Sequence, residues 1–174
     1  FGDVTLTGNF TAQNGTENTF NTITVSEGAT VQNAGTMTVA GATTINGSYQ
    51  GASTSKGTFG DTTVTGTFDA LAGSVNSFGS LTISGNGKLT NGGELTASGD
   101  LVVDSVLDNT GKVTVAGNAT VTGTYTGGEK TQSTFADLSI SGQFTAGKDS
   151  VTNVNHLAVN ESGVFENNGM LTVS

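Results

Sequence analysis

Cysteine, proline, tryptophan and arginine are all missing from these 174 residues. Without cysteine there is no disulfide framework. Without arginine, five lysines stand against fourteen acidic residues, a formal net charge of −9. A nucleic-acid surface needs clustered cations to displace counterions, so nucleic acid is not an expected partner. Anionic membranes are disfavoured on the same ground. No apolar run approaches the length of a membrane span, so no membrane insertion is expected. The chain opens on Phe1 with no signal peptide, and is expected to be a segment of a longer protein.

Large apolar residues are also scarce. Only 33% of the chain is hydrophobic, and 9 Phe, 2 Tyr and 2 Met are too few for an ordinary globular core. Low hydrophobicity would suggest disorder. Yet Thr, Val and Ile are abundant, and these residues favour strands. With 27 Gly, the composition points to a thin β core with many turns.

What is present is a repeat. Phe1-Gly-Asp-Val-Thr-Leu-Thr-Gly8 returns as Phe59-Gly-Asp-Thr-Thr-Val-Thr-Gly66 and as Phe135-Ala-Asp-Leu-Ser-Ile-Ser-Gly142. At one constant offset from the start of each copy stands an apolar residue, Phe20, Phe78 or Val154. A second, shorter step then leads to Thr36, Glu94 or Met170. A longer step, Thr36 to Phe59 and again Lys112 to Phe135, reaches the next copy, and Glu94 to Gly111 forms an additional coil in the middle unit. This places coil starts at 1, 20, 36, 59, 78, 94, 112, 135, 154 and 170, with units 1–58, 59–134 and 135–174.

Within each coil one strand alternates with period two, the mark of one buried face. Val4/Leu6, Ile23/Val25, Met37/Val39, Leu81/Ile83, Leu95/Ala97, Val113/Val115, Leu138/Ile140, Leu157/Val159 and Leu171/Val173 point inward, with Thr62/Val64 as a variant. The residue between them points out and is expected to form one column: Thr5, Thr24, Thr38, Thr63, Thr82, Thr96, Thr114, Ser139, Ala158 and Thr172. Apolar-x-Asn-x-Gly recurs at Val31–Gly35, Leu89–Gly93, Leu107–Gly111 and Phe165–Gly169. Asn33, Asn91, Asn109 and Asn167 are expected to turn corners through positive φ and to bond along the axis as a ladder.

The recurring unit is a whole coil, and two-residue hairpin signals do not separate the strands. Such coils bury their apolar face only against neighbours. The expected fold is therefore all-β: one parallel β-solenoid of about ten coils, a rod of roughly 45 Å at the usual strand spacing. Variable loops at 50–58 and 127–134 favour the right-handed kind.

Leu89-Thr-Asn-Gly-Gly-Glu-Leu-Thr96, Phe165-Glu-Asn-Asn-Gly-Met-Leu-Thr172 and Lys112-Val-Thr-Val-Ala-Gly-Asn-Ala-Thr-Val-Thr-Gly-Thr-Tyr125 resemble repeats of bacterial autotransporter passenger domains and related filamentous surface adhesins. The resemblance is one of repeat style and covers the whole chain. It implies a right-handed β-helix at the bacterial cell surface, anchored in the outer membrane through other regions, and meeting host surface molecules or copies of itself. Unpaired terminal coils would add end-to-end association.

Residues with chemistry are few. The single histidine, His156, falls in an outward column with Asp3, Thr22, Thr36, Asp61, Ser80, Glu94, Lys112, Asp137 and Met170, which tolerates any polar group. A Ser-His-Asp triad would need partners from adjacent coils. Glu94, Asp100, Asp104 and Asp108 are the densest acidic group. Glycoside hydrolysis needs opposed carboxylates, and here neither Trp nor Arg is present to grip a sugar. The same aspartates Asp100, Asp104 and Asp108 are the place to look for weak calcium binding, although no calcium-loop motif is present. Thr5/Thr7, Thr22/Thr24, Thr36/Thr38 and Thr63/Thr65 partly imitate the paired threonine rows of ice-binding solenoids. The phenylalanines at coil starts, Phe1, Phe20, Phe59, Phe78 and Phe135, read as core or corner stacks. The expected function is structural and adhesive, without catalysis, cofactor or metal; the alternatives are a carbohydrate-active β-helix enzyme or an ice-binding solenoid.

Overall fold

The computed structural model describes residues 1–174 and contains 24 strands and no helix. Each strand rests on its counterpart from the preceding turn, as in Asp3–Leu6 on Thr22–Val25, Asn9–Ala12 on Thr30–Asn33 and Glu17–Phe20 on Thr36–Val39, and every pairing is parallel. The strands make three columns, so one turn has three faces. The chain completes nine turns, a rod of about 40 Å at the usual strand spacing. Equivalent residues recur once per turn, as Val4, Ile23, Thr43, Thr62, Leu81, Leu101, Ala119, Leu138 and Leu157 do on the first face.

This corrects the expected coil grammar. First-face and third-face strands carry the same apolar-x-apolar pattern, and in the sequence both count as coil starts. The shorter step runs from the end of one third-face strand, Phe20, to the start of the next, Thr36. The longer step adds the length of that strand to one full turn, from Thr36 to Phe59. Ten starts become nine turns of nearly constant length, and Glu94 to Gly111 is an ordinary turn. Within the segments 50–58 and 127–134 only residues 52–55 and 128–131 are corner; they lead into Lys56–Phe59 on the third face and into Gln132–Ile140, which runs from the third face onto the first face of the next turn. The unit boundaries at 58/59 and 134/135 fall inside those same two strands.

The turns come in two forms, set at the corner between the second and third faces. In turns 2, 5, 6 and 9 the corner has two residues and follows Asn33, Asn91, Asn109 or Asn167. In turns 1, 3, 4, 7 and 8 it has four residues and follows Ala12, Gly51, Ala70, Gly127 or Ala146. Long corners end in Thr16, Ser55, Ser74, Thr131 or Ser150; the Thr16, Thr131 and Ser150 hydroxyls close the turn on the carbonyls of Gln13, Gly128 and Gly147 at 2.7, 3.0 and 2.7 Å.

Core volume follows corner type. Long-corner turns place an aromatic on the second face (Phe10, Tyr49, Phe68, Tyr125, Phe144) and a small or polar residue opposite (Asn18, Gly57, Asn76, Ser133, Thr152). Short-corner turns 2, 5 and 6 instead carry Met37, Leu95 or Val113 at that third-face position and an aliphatic residue on the second face, whereas the last turn combines Leu171 with a half-buried Phe165. Close packing requires this exchange, because a ring on one face needs space surrendered by another. A Cβ on Gly57 would lie 2.4 Å from the Phe59 ring, so only glycine fits beneath it. Adjacent long turns then stack ring on ring: Tyr49 on Phe68 and Tyr125 on Phe144, each with centroids 4.3 Å apart. Phe20, Phe59, Phe78 and Phe135 are buried in the core, as expected; Phe1 is 75% exposed but still stacks on Phe20 at 5.1 Å.

The short corners differ from expectation in one respect. None of Gly35, Gly93, Gly111 and Gly169 has positive φ, and neither do the asparagines before them. Glycine is required there by close stacking: a Cβ on Gly111 would sit 2.1 Å from the Gly93 carbonyl oxygen. Left-handed backbone occurs in the long corners instead, at Gly15, Gly73, Lys130 and Asp149, and between the first and second faces at Gly28 and Gly85.

Candidate functional site

Outward residues of the three columns are the surface available for contact. The expected single threonine column divides between two faces. Thr5, Thr24, Thr63 and Thr82 lie on the first face, where Thr44 and Thr120 complete the row and Val102 interrupts it. Thr38, Thr96, Thr114 and Thr172 lie on the third face, joined by Thr19, Thr58, Ser77 and Thr134. Sequence reading missed Thr44, Thr120, Thr19, Thr58 and Thr134, although counting one turn from a neighbour in the correct column would have found each. The hydroxyls of the eight expected ladder residues make no hydrogen bond to protein and are free for an external partner, whereas their neighbours Thr22, Thr65 and Thr122 are tied to Asp3, Asn46 and Asp104 at 2.9, 2.7 and 2.6 Å.

The division also undoes the paired rows suggestive of ice binding. Thr36/Thr38 belongs to the third face, while Thr5/Thr7, Thr22/Thr24 and Thr63/Thr65 border the first. Beside the first-face ladder runs an aspartate file that accepts from the next turn: Asp61 from the Ser80 amide at 2.9 Å, Asp100 from the Asn118 amide at 2.8 Å. Asp3 heads this file, and hydrogen bonds from Asn21 and Thr22 hold its carboxyl below the ordinary value.

The expected His156 column divides in the same way: Asp3, Thr22, Asp61, Ser80, Asp137 and His156 share the first face, and Thr36, Glu94, Lys112 and Met170 the third. His156 Nδ1 meets Asp137 Oδ1 at 2.6 Å, and no serine hydroxyl bonds to either ring nitrogen. Glu94 pairs with Lys112 at 3.2 Å on the third face. Asp108 pairs with Lys88 at 2.9 Å on the second face, which holds the lysine above its ordinary pKa. Asp100 and Asp104 flank Val102 on the first face, so Asp100, Asp104 and Asp108 do not converge on one point and form no metal-ligating group.

The asparagine ladder is real over one step. Asn91 Nδ2 donates to Asn109 Oδ1 at 2.9 Å, because turns 5 and 6 are both short. Asn33 and Asn109 instead donate to tyrosine hydroxyls in the long turn that follows, and Asn167 bonds within its own corner to Gly169. The buried Tyr49 and Tyr125 are pushed up to about 12, with desolvation the main cause.

A concave feature lies on the second face. A groove of about 610 Å³ runs along the axis from turn 1 to turn 5. Its polar side carries Thr11, Gln32, Gln50, Asp69 and Thr90, one residue per turn. No family model matches the chain, and comparison with curated proteins and with solved structures finds no match.

Proposed function

We propose that this solenoid is an extracellular structural and adhesive scaffold of a bacterial surface protein, related in style to autotransporter passengers and surface filaments, and not an enzyme. The observation that carries the proposal is the pair of threonine ladders with unengaged hydroxyls, repeated once per turn on two faces of a stiff rod. Many weak, identical polar contacts along a line suit attachment to a host or cell surface, or lateral contact with another copy, better than recognition of one small molecule. Partners are therefore surface molecules or the chain itself, and this segment neither inserts in a membrane nor binds nucleic acid.

The test replaces ladder hydroxyls with an isosteric methyl. Thr24, Thr63 and Thr82→Val on the first face, and Thr38, Thr96 and Thr114→Val on the third, retain strand propensity while removing the polar file. Binding of the purified rod to bacterial and epithelial cells is expected to fall in at least one variant, and concentration-dependent sedimentation to fall with it where copies associate. Attachment unchanged in both variants would remove the ladders from the mechanism. Reducing-sugar release or thermal hysteresis would replace the proposal with a carbohydrate-active or an ice-binding function.

A further inference from the structure

We infer that the groove across turns 1–5 is a binding site for an extended, uncharged linear glycan, lying along the rod axis with about one sugar per turn. The inference rests on the adhesive reading above and adds a ligand class at a place separate from the threonine ladders.

Three observations carry it. The first is the composition of the two walls. Thr11, Gln32, Gln50, Asp69 and Thr90 make a continuous file of donors and acceptors, and among them the only contact is a long one, Thr11 Oγ1 to Gln32 Oε1 at 3.5 Å. Opposite lie Ala34, Ala52 and Leu71, the last 60% exposed without any interior partner to explain its size. A pyranose ring has the matching anatomy, with hydroxyls at its edge and C–H groups on its face.

The second observation is spacing. The polar wall repeats over all five turns and the apolar wall over turns 2 to 4, each at the strand separation of roughly 4.8 Å, which is close to the advance of one pyranose in an extended chain. An extended peptide advances only about 3.4 Å per residue, so it falls out of step with the turns. The groove stops after Thr90, where the next turn presents Asp108 tied to Lys88 at 2.9 Å.

Charge is the third. Asp69 is the single ionised group lining the groove, and the chain carries a net −9. Sulfated or uronic glycans would meet repulsion with no lysine in the groove to offset it. Asp69 accepts sugar hydroxyls, and no second carboxylate faces it across the groove, so the site is suited to holding a chain, not cleaving it.

The test uses the whole chain with cello- and chito-oligosaccharides of increasing length, maltooligosaccharides as a curling control and heparin oligosaccharides as an anionic one. Calorimetry is expected to show affinity rising with length and levelling at about five sugars, one per turn. Gln50→Ala, at an exposed position, and Ala52→Glu, at a half-buried one, are each expected to weaken binding about tenfold with unchanged melting curves, and Glu161→Gln, exposed in turn 9, to leave it intact. Absence of binding, indifference to length, equal binding of maltooligosaccharides or heparin, or insensitivity to both groove variants would each overturn the inference. Groove variants that alter sedimentation, or an extended peptide that occupies the groove in place of sugar, would assign it to a second copy or a peptide and overturn it as well. Cell attachment lost in the ladder variants but kept in the groove variants, with no glycan bound, would sink the groove and leave the adhesive scaffold standing.

Discussion

Asn33 Nδ2 donates to the hydroxyl of Tyr49, one turn further along the rod, at 2.9 Å. The same contact recurs at 3.2 Å between Asn109 and Tyr125. Both tyrosines stand in the first long-corner turn after a short-corner one, where an asparagine lies beneath. The next long turn has Phe68 or Phe144 at this position, above Gly51 or Gly127, and needs no hydroxyl. Turn order is thus written into the choice between two aromatics.

Tyr49→Phe is expected to cost about 1–3 kcal/mol, because a buried amide loses an acceptor. Tyr125→Phe should cost more, since its hydroxyl also meets Ser133 Oγ at 2.6 Å and a second buried group is orphaned. Urea midpoints of the two variants measure the difference. Equal, negligible shifts would show that the contacts contribute nothing net.

Alkali should unfold the rod through the same residues. Both phenols are raised from 10.0 to about 12, so the folded state holds their protons more tightly than the unfolded state. Their contribution is complete below pH 10 and is lost as pH rises toward the folded value, by roughly 2–3 kcal/mol for each tyrosine. Melting temperature is expected to drop across that window, and tyrosinate absorbance, which reports only these 2 Tyr, to rise with unfolding. Phenylalanine at both positions should flatten the pH profile.

Lys130, in the corner of turn 7, has φ of 59°, and Asp149 one turn later has φ of 57°. Gly15 and Gly73 occupy the same corner position in turns 1 and 4 at no steric cost. Lys130→Gly is expected to raise stability by about 1 kcal/mol, read as a higher melting temperature. A lower one would show that the lysine side chain contributes more than its backbone strain costs.

Gly57→Ala is expected to be severe, because its methyl would collide with the Phe59 ring and with Asn76 Oδ1, 2.6 Å from the Cβ position. Overpacking of this kind costs about 1–3 kcal/mol or more. Pairing it with Phe59→Leu should restore much of the loss, and a double variant no better than the single one would place the strain elsewhere.

Much of this architecture was legible in the chain alone. Alternation in Val4–Thr5–Leu6 and its counterparts determined that strands would bury one face, and the recurrence of whole coils determined parallel stacking. The Asn-x-Gly signature located all four short corners. Among the site residues, the ladder threonines that alternation grouped in one column stand on two different faces. The groove had no signature at all, since Gln32, Gln50 and Asp69 are each separated by a full turn of chain and differ in type.

Which side chains face in and which face out is set locally along the chain, because a strand's period of two is a property of the backbone. The sequence could not say which strand was the first, second or third of a turn, since Leu81–Ile83 and Glu94–Ala97 carry the same apolar pattern in different columns. That assignment comes from packing between distant segments: a ring such as Phe59 fits where Gly57 leaves room beside it, and contacts of this kind between turns set which strand lies on which face and the surface that results.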